Sequence, residues 1–400
     1  MSLILVTHPG RQHSHQAALG LHRAGLLAGY WSGVPSVARN ARFVPPRLWR
    51  RAVRYAPVEL PPERTRWVPF VPALRRAADA LLPPGLAAAA DFHACRWFDR
   101  WAAARLGCVA GRAVVACEIS ARDTFAAAKQ RGWLTLLDAP SFHHAAQDRL
   151  HGFREPEALH RRITRLKDQE IALADHVLTV SALARATYLE AGVAAERVHA
   201  LMLGVDLELF GKRAATPVGP LRLVFGGAML KRKGFDILVD AFAQALRQGL
   251  AAELRVVGPD GDASDALRRL PPGVVRRSGS LPQSTWAEEL RASDLLVLPS
   301  RNDSYGMVVL EALACGVPVL VTDQVGAKDL VTPGETGFVI AAGDRAALTA
   351  ALLEAGARRD ALRGFTQRCR TAAEGASWAA YHSRLAALVR RLLAEQPGAA

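Results

Sequence analysis

Short apolar runs alternate with amphipathic stretches along most of the chain, the pattern of buried strands and surface helices in an α/β protein. The first run, Ser2 to Thr7, is followed by the loop HPGRQHSH and then by QAALGLHRAG, a helix that Gly25 should end. Strands are expected at Ala113 to Ile119 and Leu134 to Leu137, with a helix from Thr124 to Gln130 between them. Residues 170–181, EIALADHVLTVS, read as helix then strand. The helix after Ser181 should stop near Ala191 to Val193 and give way to a strand around Val198 to Leu203. The second half repeats the alternation, with strands expected at Leu221 to Gly227, Leu254 to Val257, Leu295 to Pro299, Val317 to Thr322 and within GETGFVI. Gly204 to Asp206 reads as a turn, and the polar GKRAATPVGP after it as a linker. The pattern predicts two doubly wound parallel-sheet domains, 1–206 and 207–376, and a final helix within 377–400.

One stretch concentrates the candidate chemistry: SDLLVLPSRNDSYGMVVLEALACGVPVLVTDQVGAKDLVTPGETGFVI, beginning at Ser293. Leu295 to Pro299 is a buried strand, Ser304 stands where a side-chain oxygen would cap the next helix, and Gly316 and Pro318 end that helix near Cys315. A helix start presents unpaired N–H groups and partial positive charge, so the backbone at Tyr305, Gly306 and Met307 suits an anion such as a diphosphate. Two carboxylates bracket it, Asp303 before the helix and Glu311 inside it. At ~1.5 Å rise per residue, Tyr305 and Glu311 stand about 9 Å apart along the axis, roughly the reach of a diphosphate with a sugar at each end. The acids do not neutralise phosphate; they accept bonds from hydroxyls.

The acid-x7-Glu pattern, followed by EALACGVPVLVTDQVGAKDLV and GETGFVI, resembles the donor-site signature of family-4 retaining glycosyltransferases of the GT-B fold. Weaker similarity extends over most of the chain, in the segments EIALADHVLTVS and GVDLELF among others. The resemblance implies two Rossmann-like domains facing a cleft, acceptor first and donor second, with the last helix crossing back onto the first domain and Trp378 and Tyr381 as packing residues. It implies contact of Asp303 with the transferred sugar, of Glu311 with the ribose, and of Gly279 and Ser280 with the base. It also implies that Lys233, after Gly227, grips the donor phosphates, with the leaving phosphate as base. The departures are Asp303 where Glu is usual, Ala228 where Arg is usual, and Leu203 in place of Asn. Lys231 and Arg232 are the residues expected to stand in for the missing Arg.

On the acceptor side the resemblance points to the loop after the first strand, with Gly10, His13 and His15, and to DAPSFHH. His143, with His144 beside it, is the candidate for positioning a sugar hydroxyl or sharing its proton, and Asp138 is its companion. The pair His13 and His15 reads as a solvated loop rather than a metal site, and Asp260-Gly261-Asp262 as a hydrophilic turn. No metal and no cofactor is expected; the nucleotide sugar is a co-substrate.

The formal net charge of +14, carried almost wholly by Arg, adds an attraction for anionic partners. It is densest from Arg39 to Arg76, where ten Arg face Glu59 and Glu63 among Trp49, Tyr55, Trp67 and Phe70. That mixture suits an anionic membrane surface, or equally a solvated insertion. No nucleic-acid motif is present. The N-terminus lacks a signal-peptide pattern, no run of about 18 apolar residues occurs, and the five cysteines show no CxxC spacing. These features point to the cytoplasm, with peripheral attachment to the inner face of the membrane. The expected partners are therefore a nucleotide sugar and a saccharide or lipid-linked acceptor. The rival readings are a sugar-nucleotide binding protein that has lost turnover and a GT-B epimerase or phosphorylase. A nicotinamide-dependent dehydrogenase is disfavoured because no GxGxxG follows either candidate first strand.

Overall fold

The computed structural model describes residues 3–33, 60–153, 155–212 and 219–396. The chain divides into two compact units: Met1–Thr179 with Arg185–Leu201 and Tyr381–Ala400, and Val180–Ala184 with Met202–Ala380.

The first unit is built on a seven-stranded parallel sheet in the order β3-β2-β1-β4-β5-β6-β7. Its strands are β1 (Ile4–His8), β2 (Leu27–Ser32), β3 (Thr65–Trp67), β4 (Ala113–Cys117), β5 (Leu134–Ala139), β6 (His176–Thr179) and β7 (Val198–Ala200). Every residue of β1, β4 and β5 is buried, because helices cover both faces of a central parallel strand. The helices are α1 (Ser14–Arg23), α2 (Phe70–Leu81), α3 (Pro84–Arg105), α4 (Arg122–Lys129), α5 (His144–His151), α6 (Glu157–Leu173) and α7 (Ala182–Glu190). Leu5, Trp31, Val114, Phe125, Leu137 and Val177 meet in one core. Since β2 lies on one side of β1 and β4 on the other, the connections after β1 and β4 part company at their carboxyl ends, where a doubly wound sheet leaves room for ligands.

The second unit repeats the plan with six parallel strands in the order β10-β9-β8-β11-β12-β13. They are β8 (Leu221–Gly226), β9 (Ala252–Val257), β10 (Val275–Arg277), β11 (Leu295–Leu298), β12 (Val319–Thr322) and β13 (Gly337–Ile340). Between and after them run α8 (Phe235–Arg247), α9 (Gln283–Arg291), α10 (Met307–Ala314), α11 (Arg345–Ala357), α12 (Arg359–Gly364) and α13 (Thr366–Glu374). The switch point here lies between β8 and β11. The last helix, α14 (Trp378–Ala394), packs within the first unit from Tyr381 onward, where the His382 ring meets the Gln16 side chain at 2.9 Å.

Several expected strands run shorter than read, β4 and β7 the most at their carboxyl ends. β4 stops at Cys117 because Ile119 turns into the left-handed region (φ 69°), and the run from Val198 pairs only to Ala200. Among the described residues no helix is long and apolar enough to cross a membrane. Most of the basic segment from Arg39 to Arg76, including Trp49 and Tyr55, lies outside the described residues.

Candidate functional site

In the second unit the turns after β8 and β11 are locked together. Gly234 takes φ 69° and lies so close to the β11 turn that a Cβ would stand 1.9 Å from the Pro299 carbonyl oxygen, which leaves glycine as the residue that fits. Arg301 donates one N–H from each terminal nitrogen to Asp236, at 2.7 and 2.8 Å, and also bonds the Lys231 carbonyl. Its own backbone N–H donates to the Arg232 carbonyl at 2.9 Å. The Lys231 N–H donates to Asp262 at 2.8 Å. Asp262 is thus a brace for this turn, while Asp260 pairs with Arg277 at 2.6 Å.

This packing delivers the Lys233 ammonium onto the Asp303 carboxylate. Asp303 is buried and held by its backbone, its N–H donating to Gln324 and its carbonyl accepting from Gly326, each at 2.9 Å. The Arg232 guanidinium lies alongside, donating to the Asn302 carbonyl at 3.3 Å. Of the two residues expected to replace the missing Arg at Ala228, Arg232 therefore reaches this corner. Lys231 contributes backbone contacts, and its side chain is exposed.

The helix start differs from the expected one. Ser304 does not cap α10, because the helix begins at Met307 with Gly306 as its N-cap in the left-handed region (φ 89°, ψ 60°). The Ser304 carbonyl instead accepts from the Ser181 hydroxyl at 2.6 Å. Tyr305 is a packing residue in part: its hydroxyl donates to the Leu203 carbonyl at 2.8 Å, and its N–H lies 3.4 Å from Asp303. A side chain at Gly306 would meet Val325 at 2.8 Å, so close packing, together with the positive φ, reserves this N-cap position of α10 for glycine.

Glu311 follows Met307 by four residues and so shares its face of α10. The carboxylate is buried and accepts from the Trp286 indole N–H at 2.7 Å. Burial pushes it up to about 7, against the pull of that N–H. Trp286 was missed from the sequence, since it lies on α9, outside the stretch from Ser293 that carries the candidate chemistry. Gly227, Gly279 and Ser280 lie on the turns at the carboxyl ends of β8 and β10, where Gly227 donates to Val257 at 2.8 Å and Gly279 accepts from Gly258 at 2.7 Å. Gly279 and Ser280 are exposed.

The first unit gathers a different set at its own strand ends. The His8 ring accepts from the Gly10 N–H through Nδ1 at 2.8 Å, which leaves Nε2 buried without a partner, and the Gly10 carbonyl accepts from Ser32. Burial lowers His8 to about 4. His13 bonds Asp138 at 3.0 Å with both side chains buried; burial disfavours the charged ring, but Asp138 outweighs it and raises His13 above its ordinary value. His15 bonds the Gln12 carbonyl at 2.9 Å.

His143 caps α5, its Nδ1 accepting from the Ala145 N–H at 3.3 Å, and burial lowers it to about 4. With Nδ1 occupied as an acceptor, the neutral ring carries its proton on Nε2, so at neutral pH His143 is a hydrogen-bond donor rather than a base. His144 reaches Asp168 at 3.0 Å, and its Nδ1 is buried without a partner. His143, His144 and Asp168 place ligand-type atoms within 4.8 Å of one another. A metal on Nε2 of His143 would require Nδ1 to give up the Ala145 bond, so the tautomer fits a cap better than a metal ligand.

Glu118, Ser141 and Lys167 join this group, with Lys167 and Ser141 both donating to Glu118. They were not singled out from the sequence, because residues 118, 141 and 167 meet only once β4, β5 and α6 are assembled.

Two Rossmann-like parallel sheets, each with polar groups at its strand ends, define the GT-B class of fold. Residues 220–357 match the family described as Glycosyl transferases group 1, which bears out the resemblance read from the β11–β13 stretch at that level. A D-inositol 3-phosphate glycosyltransferase of Catenulispora acidiphila is 35% identical over 224 residues, 50% of this chain and 53% of that protein. The chain thus spans about half the length of the curated relatives it matches. Among solved structures, sucrose-phosphate synthase from Thermosynechococcus elongatus superposes with a TM-score of 0.72 at 20% identity, covering 98% of this chain and 100% of that one. Anabaena HepE in complex with UDP and glucose gives 0.67 at 15% identity, with the same coverage.

Proposed function

We propose that the protein is a retaining, family-4-type glycosyltransferase that moves a sugar from a uridine diphosphate sugar to a hydroxyl acceptor. The observation that carries this reading is the Lys233–Asp303 pair set beside the start of α10, with Glu311 one turn further on. In this reading the diphosphate lies against the first turn of α10. Lys233 and Arg232 then balance the charge that grows as the glycosidic bond breaks, the kind of electrostatic aid that contributes most to such reactions. Donor binding draws Lys233 from Asp303 toward phosphate, which frees Asp303 for the sugar hydroxyls, and Glu311 takes the ribose. The acceptor hydroxyl passes its proton to the departing phosphate, and His143 orients a hydroxyl by donating from Nε2. These side chains do that work without a metal.

The uridine base is suggested by the ligands of HepE, and a polyol or saccharide acceptor by the names of the inositol-phosphate relatives. A lipid-linked saccharide of envelope polysaccharide synthesis is the acceptor we favour. The protein would work in the cytoplasm, on an anionic membrane surface bound through the segment from Arg39 to Arg76. The test is nucleoside diphosphate release across a panel of nucleotide sugars and acceptors, with proton NMR of the product to read the anomeric configuration. Release with an inverted product rejects retention, and ligand binding without release makes the chain a binding protein. Arg-to-Gln changes in the basic segment should weaken sedimentation with anionic vesicles; unchanged sedimentation removes the membrane.

A further inference from the structure

The described part of the basic segment does not lie idle on the surface of the first unit. Arg64 and Arg66 line, with Arg112, a cavity of about 700 Å³ that runs from the residues preceding β1 and β4 to Trp31 on β2. Its floor is apolar, formed by Leu3, Trp31 and Val109. Arg64 donates one N–H to the Leu27 carbonyl at 2.8 Å, and Arg66 stands over the Trp31 ring with its guanidinium carbon 5.8 Å from the ring centroid. Among the described residues none of the three is paired with a carboxylate, and the single acid in the lining, Glu63, is exposed and bridged to none of them. Some other Arg residues of this unit are matched, as Arg75 is with Asp91 and Arg96 with Asp99 and Asp123. Three guanidiniums gathered round one cavity with a deficit of negative charge repel one another, and an anion that enters relieves that repulsion. The planar fork of a guanidinium fits phosphate oxygens two at a time.

We propose that this cavity binds a phosphate ester. It shares no lining residue with the polar groups at the carboxyl ends of β1, β4 and β5, so it is a second site, separate from the proposed transfer chemistry. A soluble phosphorylated metabolite and a phospholipid headgroup present the same chemistry, and the experiment separates them.

Cys108 lines the cavity and is exposed, whereas the other four cysteines are buried, so thiol modification of the native protein reports on this place. The rate of maleimide labelling is measured with inorganic phosphate, with chloride at equal ionic strength, and with vesicles of phosphatidylglycerol and phosphatidylcholine in equal parts. Cys108→Ser identifies the reacting thiol. Phosphate should slow labelling several-fold where chloride does not, and Arg66→Gln with Arg112→Gln should abolish the protection while the melting temperature is kept. Protection by vesicles but not by free phosphate supports the site and assigns it to a headgroup. Should the double variant unfold, Arg66→Gln alone, an exposed position, replaces it. Labelling that neither phosphate nor vesicles slow, or that they slow equally in the variants, overturns the proposal.

Discussion

The two strand-end regions use opposite electrostatics. In the second unit a cation and an acid, Lys233 and Asp303, hold each other beside a helix start, and in the proposed reaction both take other partners when a diphosphate sugar binds. In the first unit the polar groups are mostly neutral rings or already matched, His8 and His143 lowered to about 4 by burial and Glu118 shared by Lys167 and Ser141. The first arrangement suits the binding and release of charge, and the second suits hydroxyls, which need orientation more than neutralisation. In the proposed reaction the two halves therefore take different tasks.

The sharpest way to break that contrast is Asp303→Ala, which should lower kcat by on the order of 100-fold or more if its carboxylate acts on the sugar in the transition state. Steady-state kinetics check it, and a change confined to KM would place Asp303 in ground-state binding alone. Gly234→Ala should destabilise the second unit by more than about 2 kcal/mol, since it adds a Cβ against Pro299 to an unfavourable backbone angle. Urea unfolding measures this, and hydrogen exchange should locate the loss around β8 and β11. His143→Ala should raise the acceptor KM about tenfold, the size of one lost hydrogen bond in a buried site, and leave donor binding unchanged. An altered donor affinity would erase the division of labour.

The smallest expected effect is in pH. With Glu311 near 7, its ionised fraction rises roughly fivefold between pH 6 and 7, so the donor KM should fall roughly fivefold over that range, and Glu311→Gln should flatten the profile. The sign for stability is the reverse. A carboxyl raised above its ordinary 4.5 contributes stability that is complete at lower pH and lost as pH rises through about 7. A donor KM independent of pH in the wild type would remove Glu311 from the ribose.

The parallel sheets were legible because their central strands are buried on both faces and so read as unbroken apolar runs, as LLVL of β11 and VLVT of β12 do. Less visible were β2, which Gly29 and Ser32 interrupt, and α3, whose Arg96 and Asp99 are buried against each other and blur its polar face. In the proposed donor corner, Asp303 and Glu311 could be singled out because they lie eight residues apart in one continuous stretch. Trp286, Arg301 and Asp262 act across elements far apart in sequence, where no local period marks them. Ser304 misled for a related reason: a capping side chain is a local signal, but Gly306 starts the helix later by adopting a backbone angle that Ser disfavours.

Equilibrium titration of nucleotide sugars into the wild type and Glu311→Ala tests the central claim most directly. Saturable binding to the wild type, weakened tenfold or more in the variant (about 1.4 kcal/mol), is the predicted result. No binding by the wild type, or equal affinity in the two proteins, would contradict the assignment of the β8 and β11 turns as the donor site.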